Sequence, residues 1–163
     1  MIKFKKLRQI IFTFIVKRQA AEVGEECRVN YYSHVTGHTY LADHVNFNGM
    51  EVAGIGRVEI GSYFHSGRKC MIISSNHYYE GDSIPYDRTN VAKDVKIGDF
   101  VWLGSRVMVL PGVTIGEGAI IQAGAVVVSD IPACAIAGGN PAKVFKYRDK
   151  EHFYRLKSEM KFL

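Results

Sequence analysis

Apolar and small side chains repeat every six residues along the second half of the chain. A period of six matches neither the 3.6 residues of an α-helix turn nor the alternation of a plain strand, so it indicates a repeat architecture. Glycine stands second in three units (Gly98, Gly104 and Gly116), where we expect tight corners in which φ can be positive. Branched aliphatic residues open the units at Val91, Ile97, Leu103, Val109, Ile115, Ile121 and Val127, and the fifth positions are Val95, Val101, Val107, Val113, Ala119 and Ala125.

A unit with one large and one small apolar residue can bury only those two side chains and has no core of its own. If three units form a triangular coil, the next coil stacks on it at strand spacing, about 4.8 Å, and the aliphatic column becomes continuous. An ordinary β-sandwich is the alternative, but its strands would alternate with period two and vary in spacing. The pattern therefore predicts an all-β solenoid, a parallel β-helix of hexapeptide repeats.

The same period extends towards the N-terminus, with two interruptions. Val23, Val29, Val35, Leu41 and Phe47 are six apart, and Ile60, Ser66 and Ile72 continue the count. One extra residue between Phe47 and Ile60 and another between Ile72 and Val91 predict a bulge or an excursion at each place. The second interruption contains the polar stretch 76–89 with Gly81 and Pro85, which we interpret as a loop projecting from the solenoid.

Both ends of the chain differ from the repeats. Residues 1–20 form a basic segment with a predicted helix that places Phe4, Leu7, Ile11, Phe14 and Ile15 on one face. This helix either caps the open end of the solenoid or lies on an anionic membrane surface. Residues 21–145 form the predicted β-helix, the catalytic domain if the chain is an enzyme, and residues 146–163 a short helix with Phe153, Leu156 and Met160 as its apolar stripe.

Composition limits the classes of partner and compartment. The 163 residues fit one domain, and the net charge of +5 comes from lysine and arginine enriched at both ends. No nucleic-acid-binding motif accompanies this charge, so we expect no nucleic-acid partner. Cys27, Cys70 and Cys134 form neither a CxxC motif nor an even framework, which predicts free thiols in a reducing compartment, the cytoplasm.

Two further motifs carry a resemblance to a known family. Residues 136–144 read IAGGNPAKV after the last repeat, and Asn76-His77 precedes the main repeat block. With the [LIV]-G-x4 units, these motifs resemble the acetyl-CoA-dependent O-acetyltransferases of the hexapeptide-repeat group, which includes the galactoside, maltose, xenobiotic and capsular-polysaccharide enzymes. The resemblance implies a left-handed winding, homotrimers with active sites between subunits, and acetyl-CoA as donor without a metal.

His77 matches the catalytic base of that family. Removing a proton from a sugar hydroxyl requires a base, and histidine is the side chain whose reference pKa, about 6.5, lies nearest working pH. Such a base is typically worth ~10²–10⁴ in rate. Without a motif around it, the same histidine would be interpreted as a surface residue of a polar loop. Direct transfer in a ternary complex requires no nucleophilic serine or cysteine.

The resemblance also suggests which residues contact the donor. Ser105 and Ala123 are eighteen residues apart, one full coil, so we expect them to stack on one face. Lysines would meet the phosphates of CoA as point charges. Trp102 stands sixth in its unit and should point outward, either as a subunit contact or as a wall of the acetyl channel. The candidate CoA contacts are Ser105, Ala123, Val128, Ser129, Lys143, Lys146 and Trp102.

Acceptor contacts are less defined by the sequence. Asn46 matches an acceptor-binding asparagine of the galactoside enzyme, with Asn48 as the fallback because the first interruption lies between this region and His77. Glu80, Asp82 or Asp87 could orient His77 or hold sugar hydroxyls, and the sequence does not choose among them.

Taken with the polar loop, these residues predict O-acetylation of a sugar or surface-polysaccharide precursor in the cytoplasm. The reaction could also take place at the inner face of the cytoplasmic membrane. A xenobiotic acetyltransferase of the same fold is the main alternative. Two weaker alternatives are a scaffold that has lost its chemistry and a zinc enzyme of the gamma carbonic anhydrase type. The zinc alternative rests on His34, His38 and His44, but residues six apart fall on different faces of one coil and do not converge.

Overall fold

A computed structural model describes the backbone of residues 2–162 and the side chains of residues 4–162. Two helices flank sixteen short strands in the described part of the chain. In chain order the elements are α1 (Ile2–Gln19), β1 (Glu22–Val23), β2 (Arg28–Tyr31), β3 (Thr39–Leu41), β4 (Asn46–Ala53), β5 (Val58–Ile60), β6 (His65–Ile73), β7 (Ser75–His77), β8 (Asn90–Ala92), β9 (Val95–Ile97), β10 (Trp102–Leu103), β11 (Met108–Val109), β12 (Thr114–Ile115), β13 (Ile120–Ile121), β14 (Val126–Val127), β15 (Ala135–Gly138), β16 (Lys143–Tyr147) and α2 (Lys150–Ser158).

The strands stack in parallel on three faces of a coil. Face A consists of β1, β3, β5, β9 and β12, and a bridge from Ile115 to Ile131 adds a sixth layer. Face B contains β2, the starts of β4 and β6, β10, β13 and β15, whereas face C contains the ends of β4 and β6 with β11 and β14. The described residues thus form a parallel β-helix of about six coils, which confirms the predicted fold class.

The repeating apolar residues form the core of the coils, as predicted. From Ile97 to Val127 every first-position side chain is at most 3% exposed, and the fifth-position side chains from Val95 to Ala125 are at most 2% exposed. Full burial of such an aliphatic side chain is worth roughly 1.5–3 kcal/mol, so the columns supply stability coil by coil. In the earlier coils Phe47 and Phe64 meet edge to face, with ring centroids 5.9 Å apart.

The reason for glycine at position two differs from the expected one. The φ angles of Gly98 and Gly104 lie outside the left-handed region, but a Cβ on Gly104 would lie 2.5 Å from the backbone nitrogen of Ala123 in the next coil. Close approach of coils therefore excludes a side chain there. Positive φ occurs instead at position four, where Phe100 has φ 57° and Gly124 has φ 75°.

Both predicted interruptions of the period are present, and the second one changes the count of the repeats. In the first, Val52 on face C stands five residues after Phe47, and eight residues then lead to Ile60. In the second, Val91 pairs with Asn76 in an antiparallel hairpin. Val91 therefore belongs to the excursion, although its spacing matched the six-residue repeat. The coil resumes at Val95. The projecting loop is the turn between β7 and β8.

Helix α1 covers the first coil. Val16 is fully buried and Phe12 packs against the core. The backbone N–H of Val29 donates to Oγ1 of Thr13 at 3.0 Å, and that of Val35 donates to Oε1 of Gln19 at 3.2 Å. The helix therefore satisfies open backbone donors of the first coil, which an uncovered strand edge would leave free.

The packed face of α1 is not the stripe identified from the sequence. Phe4 (79% exposed), Leu7 (55%), Ile11 (48%) and Phe14 (64%) point away from the coils, on the side opposite Val16. Polar side chains of the packed face reach the first coil because that coil presents unpaired N–H groups as well as apolar surface. No helix in the described part of the chain is long and apolar enough to span a bilayer.

A strand covers the last coil, and α2 then packs along the corner between faces A and B. The predicted helical segment 146–163 is helical only from Lys150 to Ser158, because residues up to Tyr147 form β16 antiparallel to β15. Asp149 caps α2 by accepting the N–H of His152 at 2.9 Å. Phe153 of α2 packs edge to face on Phe100, whereas Met160 of the predicted stripe is exposed.

Candidate active site

His77 lies at the base of the projecting hairpin. It is the last residue of β7 and pairs with Asn90 of β8. Its exposed imidazole stacks on the ring of Tyr86, with centroids 3.9 Å apart and planes within 7°. The stack fixes the plane of the imidazole and leaves its two nitrogens at the edge of the ring.

Among the three candidate carboxylates, Asp87 holds the hairpin turn together. Its Oδ1 accepts the N–H of Thr89 at 2.7 Å, and a Cβ on Gly81 would collide with its side chain. Within the described residues, neither Asp87 nor Glu80 nor Asp82 hydrogen-bonds to His77. The group in contact with the imidazole is the Tyr86 ring, which sequence reasoning missed because it stands nine residues further along a polar loop.

Trp102 belongs to an outward column on face B. It pairs with His65 in the coil before it and Ile120 in the coil after it, and His65 in turn pairs with Asn46. Trp102 is 52% exposed and points outward, as its position in the unit predicts. Desolvation lowers the pKa of His65 from its ordinary value, so the neutral ring is favoured in this column. His65 was not singled out by the sequence analysis, although it occupies the same outward register.

Asn46 and Asn48 lie in a network of side-chain amides. Gln9 of α1 donates to Oδ1 of Asn30 at 2.8 Å, and Asn30 donates to Oδ1 of Asn46 at 3.0 Å and of Asn48 at 3.1 Å. Nδ2 of Asn48 donates to the Ser66 carbonyl at 2.7 Å. The network holds both candidate acceptor residues in fixed orientations next to α1.

Ser105 and Ala123 lie in adjacent coils at the corner between faces B and C. The N–H of Gly124 donates to the Ser105 carbonyl at 2.9 Å, which is the stacking that their spacing predicts. Oγ of Ser105 accepts the N–H of Arg68 from the coil before, at 3.1 Å. Arg68 and Arg106 are exposed at this corner and were not among the predicted contacts.

A bulge places the two candidate lysines on one side of the sheet. Lys146 stands opposite Ile136 and Lys143 opposite Gly138, with a register shift between the pairs. Residues three apart in a regular strand point to opposite faces, but the extra residue of a bulge restores the same side. Both lysines therefore lie with outward-facing Ile136 on face B. Val128 and Ser129 are exposed after β14, where face C turns towards face A.

The predicted residues do not form a single pocket in the described part of one chain. The hairpin with His77 leaves the third coil between faces C and A, whereas Trp102 and both lysines lie on face B. One cavity, of about 630 Å³ and lined by residues such as Tyr40, Arg57 and Glu59, contains none of the predicted site residues. Another, of about 400 Å³ between α1 and face B, includes Asn48.

The cysteines and histidines of the coils do not form a second site. All three cysteines are buried and free, and burial raises the pKa of Cys27 to about 11, which disfavours a nucleophilic thiolate. The described residues contain no group of three or more His, Cys, Asp or Glu side chains arranged to hold a metal. The ring of His44 stacks on Tyr63 at 4.4 Å, and His34 contacts Gln19.

Comparison with known proteins agrees with this architecture. Residues 94–129 match the family model described as bacterial transferase hexapeptide (six repeats). The chain is 32% identical to a chloramphenicol acetyltransferase of Klebsiella aerogenes over 163 aligned positions, covering 89% of this chain and 76% of that protein. Shorter matches of higher identity span only about a third of the length of the curated relatives concerned.

Two solved structures share the fold. A maltose O-acetyltransferase from Clostridium difficile 630 is 28% identical with a TM-score of 0.62, over 79% of this chain and 67% of that one. A hexapeptide-repeat acetyltransferase from Vibrio cholerae, VCA0836, has a TM-score of 0.75 at 22% identity, over 90% of this chain and 85% of that one, and was also solved with acetyl coenzyme A.

The stacked coils and the match of residues 94–129 to the family model define a hexapeptide-repeat transferase. The extended match to the Klebsiella protein makes the assignment specific: the chain belongs to the family of hexapeptide-repeat acetyltransferases.

Proposed function

We propose that the protein transfers an acetyl group from acetyl-CoA to a hydroxyl of a sugar or surface-polysaccharide precursor, with His77 as general base. The observation that carries the proposal is the position of His77. The hairpin that bears it interrupts an otherwise continuous β-helix of the acetyltransferase family, and its imidazole is held by Tyr86.

The chemistry is a direct transfer. The acceptor oxygen attacks the thioester carbonyl carbon while His77 takes the hydroxyl proton. The tetrahedral oxyanion then collapses, the C–S bond breaks, and the CoA sulfur leaves with the proton from the imidazolium. Holding the two substrates together can supply about 7–11 kcal/mol, and a backbone N–H aimed at the oxyanion about 10²–10³ in rate. Among the residues that the structure describes, all three cysteines are buried, so none is accessible to form an acyl-enzyme.

We propose that CoA binds along the outer surface of the later coils. Backbone groups at the corner of Ser105 and Ala123 would contact the pantetheine arm, with Val128 and Ser129 at the corner beyond β14. Lys143 and Lys146 would meet the phosphates. The shared orientation of the two lysines supports this assignment, because two cations on one side of a sheet can bind one polyanion. Trp102 is proposed as a wall of the acetyl channel.

We propose that the active site is completed by a second subunit of a homotrimer. In one chain His77 projects from the corner between faces C and A, away from Trp102 on face B. Flat faces of a triangular coil suit threefold packing, in which the hairpin of one subunit reaches the face of its neighbour. Sedimentation of the purified protein at three times the chain mass would support this, and an active monomer would contradict it.

The acceptor is tested by a screen. Acetyl-CoA is mixed with sugars, nucleotide sugars, oligosaccharides and chloramphenicol, and free thiol release is followed. Turnover with a glycan hydroxyl is expected. Preference for chloramphenicol would favour the second candidate, a xenobiotic acetyltransferase, for which the similarity to the Klebsiella protein is the supporting observation. If calorimetry shows no acetyl-CoA binding, the scaffold alternative replaces both acetyltransferase candidates. Stoichiometric bound zinc would favour the carbonic anhydrase alternative.

We also propose that the protein works in the cytoplasm, with α1 resting on the inner membrane face. The outward stripe of Phe4, Leu7, Ile11 and Phe14 is flanked by basic side chains such as Lys6 and Lys17. An apolar stripe with basic flanks is typical of interfacial helices on anionic lipid. The cap and the membrane contact are compatible because they use opposite faces of α1.

Vesicle flotation tests the membrane contact. Deleting residues 1–19 would uncover the first coil, so substitution is the better experiment. Full-length protein should float with vesicles containing phosphatidylglycerol, and Phe4→Ser with Phe14→Ser should abolish flotation. Tyr154→Ser, an exposed aromatic residue of α2, is the matched control. Equal flotation of all three proteins would refute the contact.

A further inference from the structure

A groove of about 400 Å³ separates α1 from the outer surface of face B. One side is formed by Lys5, Lys6 and Arg8 of the helix, and the floor by Tyr31 and Asn48 of the first two coils. None of the described residues that line it is an aspartate or a glutamate. The groove is thus a concave surface with three cations and no compensating anion.

Two arginines share one aromatic ring at this groove. The guanidinium carbon of Arg8 lies 4.5 Å from the centroid of Tyr31, and that of Arg68 lies 4.3 Å from the same centroid. Like charges repel, so two guanidinium groups at one ring favour the presence of an anion nearby. Lys69 follows Arg68 at the same corner and is exposed.

The guanidinium of Arg8 also has unused donor capacity. Its Nε is buried and has no hydrogen-bond partner among the described residues. No carboxylate within hydrogen-bond or ion-pair distance of Arg8 or Arg68 occurs in the part of the chain that the structure describes. Stacking on Tyr31 holds each guanidinium in place, and a planar guanidinium presents its remaining N–H groups as a fork that matches phosphate oxygens.

The amide network makes the floor of the groove rigid. Gln9, Asn30 and Asn48 are connected by hydrogen bonds of 2.8 and 3.1 Å, and Asn48 is tied to the next coil through the Ser66 carbonyl. A ligand therefore meets a surface whose polar groups are already oriented, which lowers the entropy cost of binding.

We infer that this groove binds a phosphate or diphosphate group of the acceptor. The inference rests on the proposed acetyl transfer and specifies its substrate: a sugar carried on a phosphate, either as a nucleotide sugar or as a lipid-linked sugar. Both sources offer the same charged group. Phosphate is preferred over a carboxylate because several cations converge on the groove and a diphosphate brings more than one negative charge to them.

Calorimetry with inorganic pyrophosphate tests the site directly. Saturating CoA is present throughout, so that pyrophosphate does not report on the donor site. The protein should bind one pyrophosphate per chain, and combining Lys6→Gln with Arg8→Gln should weaken binding by about tenfold or more, as expected for lost charge-assisted hydrogen bonds. Arg18→Gln, an exposed arginine of the same helix outside the groove, is the matched control and should bind like the unchanged protein. Melting temperatures confirm that all variants are folded.

Three results would overturn the inference: no pyrophosphate binding, binding that the groove substitutions leave unchanged, or preference for glucuronate over pyrophosphate. Uridine diphosphate and geranyl diphosphate, each competed against pyrophosphate, distinguish a nucleotide from a lipid carrier. Failure of the proposed acetyl transfer would appear separately, as pyrophosphate binding without thiol release.

Discussion

The later coils, residues 95–147, and the earlier coils, residues 22–94, are built from the same unit but differ in regularity. In the later coils, stacked partners such as Ile97 and Ile115 are eighteen residues apart on each face as far as Val127, and the spacing shortens to sixteen only in the last coil, where Ile121 pairs with Ala137. In the earlier coils the separation is nineteen between Leu41 and Ile60 and twenty between Val52 and Ile72. The regular part offers the uniform edge on which we propose that the donor binds. The irregular part carries the hairpin and the groove, which we propose contact the acceptor.

The largest expected effect is on catalysis at the hairpin. His77→Ala should lower kcat by at least about 10², because a positioned general base typically contributes 10²–10⁴ in rate. Acetyl-CoA affinity, measured by calorimetry, should change little because the proposed donor site lies on the regular coils. His152→Ala, an exposed histidine of α2, is the control and should retain full turnover. Near-normal turnover of His77→Ala would refute the assignment of the base.

The next effect is on stability and distinguishes the repeating aliphatic residues of the coils from those of the hairpin. Ile121→Ala should lower the free energy of unfolding by about 2–5 kcal/mol, because it leaves a cavity between stacked coils. Val91→Ala should lower the free energy of unfolding much less, because Val91 is half-buried in the hairpin. Denaturant titration of both variants measures the difference. Equal losses would mean that Val91 is part of the core after all.

A smaller difference is expected between two glycines of the regular coils. Gly104→Ala should cost about 1–3 kcal/mol, as overpacking does, because its Cβ would meet the backbone of Ala123 at 2.5 Å. The Cβ of Gly124→Ala would meet no atom within 4 Å, so the substitution should lower the free energy of unfolding only through the positive φ of this position, by about 1 kcal/mol. Thermal unfolding should therefore give a lower melting temperature for Gly104→Ala than for Gly124→Ala. The reverse order would argue against close coil contact as the reason for glycine at position two.

The smallest effect is a pH dependence at His65. Its pKa is lowered in the folded protein by desolvation, so the unfolded chain binds the proton more readily. Stability should therefore fall as pH drops below the unfolded value of about 6.5, and His65→Gln should reduce that slope slightly. Unfolding titrations at pH 7.5 and 5.5 measure the difference. A slope that is unaffected by the substitution would indicate that His65 does not contribute.

Features set by local periodicity were predictable, and features set by contacts between distant residues were not. The inward columns, the outward Trp102 and the stacking of Ser105 on Ala123 all follow from the period of six. The period also assigned Val91 wrongly to the coils. This residue belongs to the hairpin strand β8 but happens to lie six residues before Ile97, which opens the next unit. Helical periodicity found the apolar stripe of α1, but the face that packs is decided by free N–H groups on the first coil.

The candidate site shows the same division. The proposed base, His77, was identified through a motif, whereas its stacking partner Tyr86 and the arginines around Tyr31 depend on how the chain folds back. Such partners are far apart in sequence, and no short motif records them.

The polar contacts of Thr13 and Gln19 with the first coil have a consequence for assembly. A β-helix whose terminal N–H and C=O groups are free can continue growing by adding another molecule at its end, which yields open fibres rather than a closed particle. Because Thr13 and Gln19 occupy two N–H groups of the first coil, we expect α1 to hinder such growth, and shortening the N-terminus should lower solubility before it lowers activity.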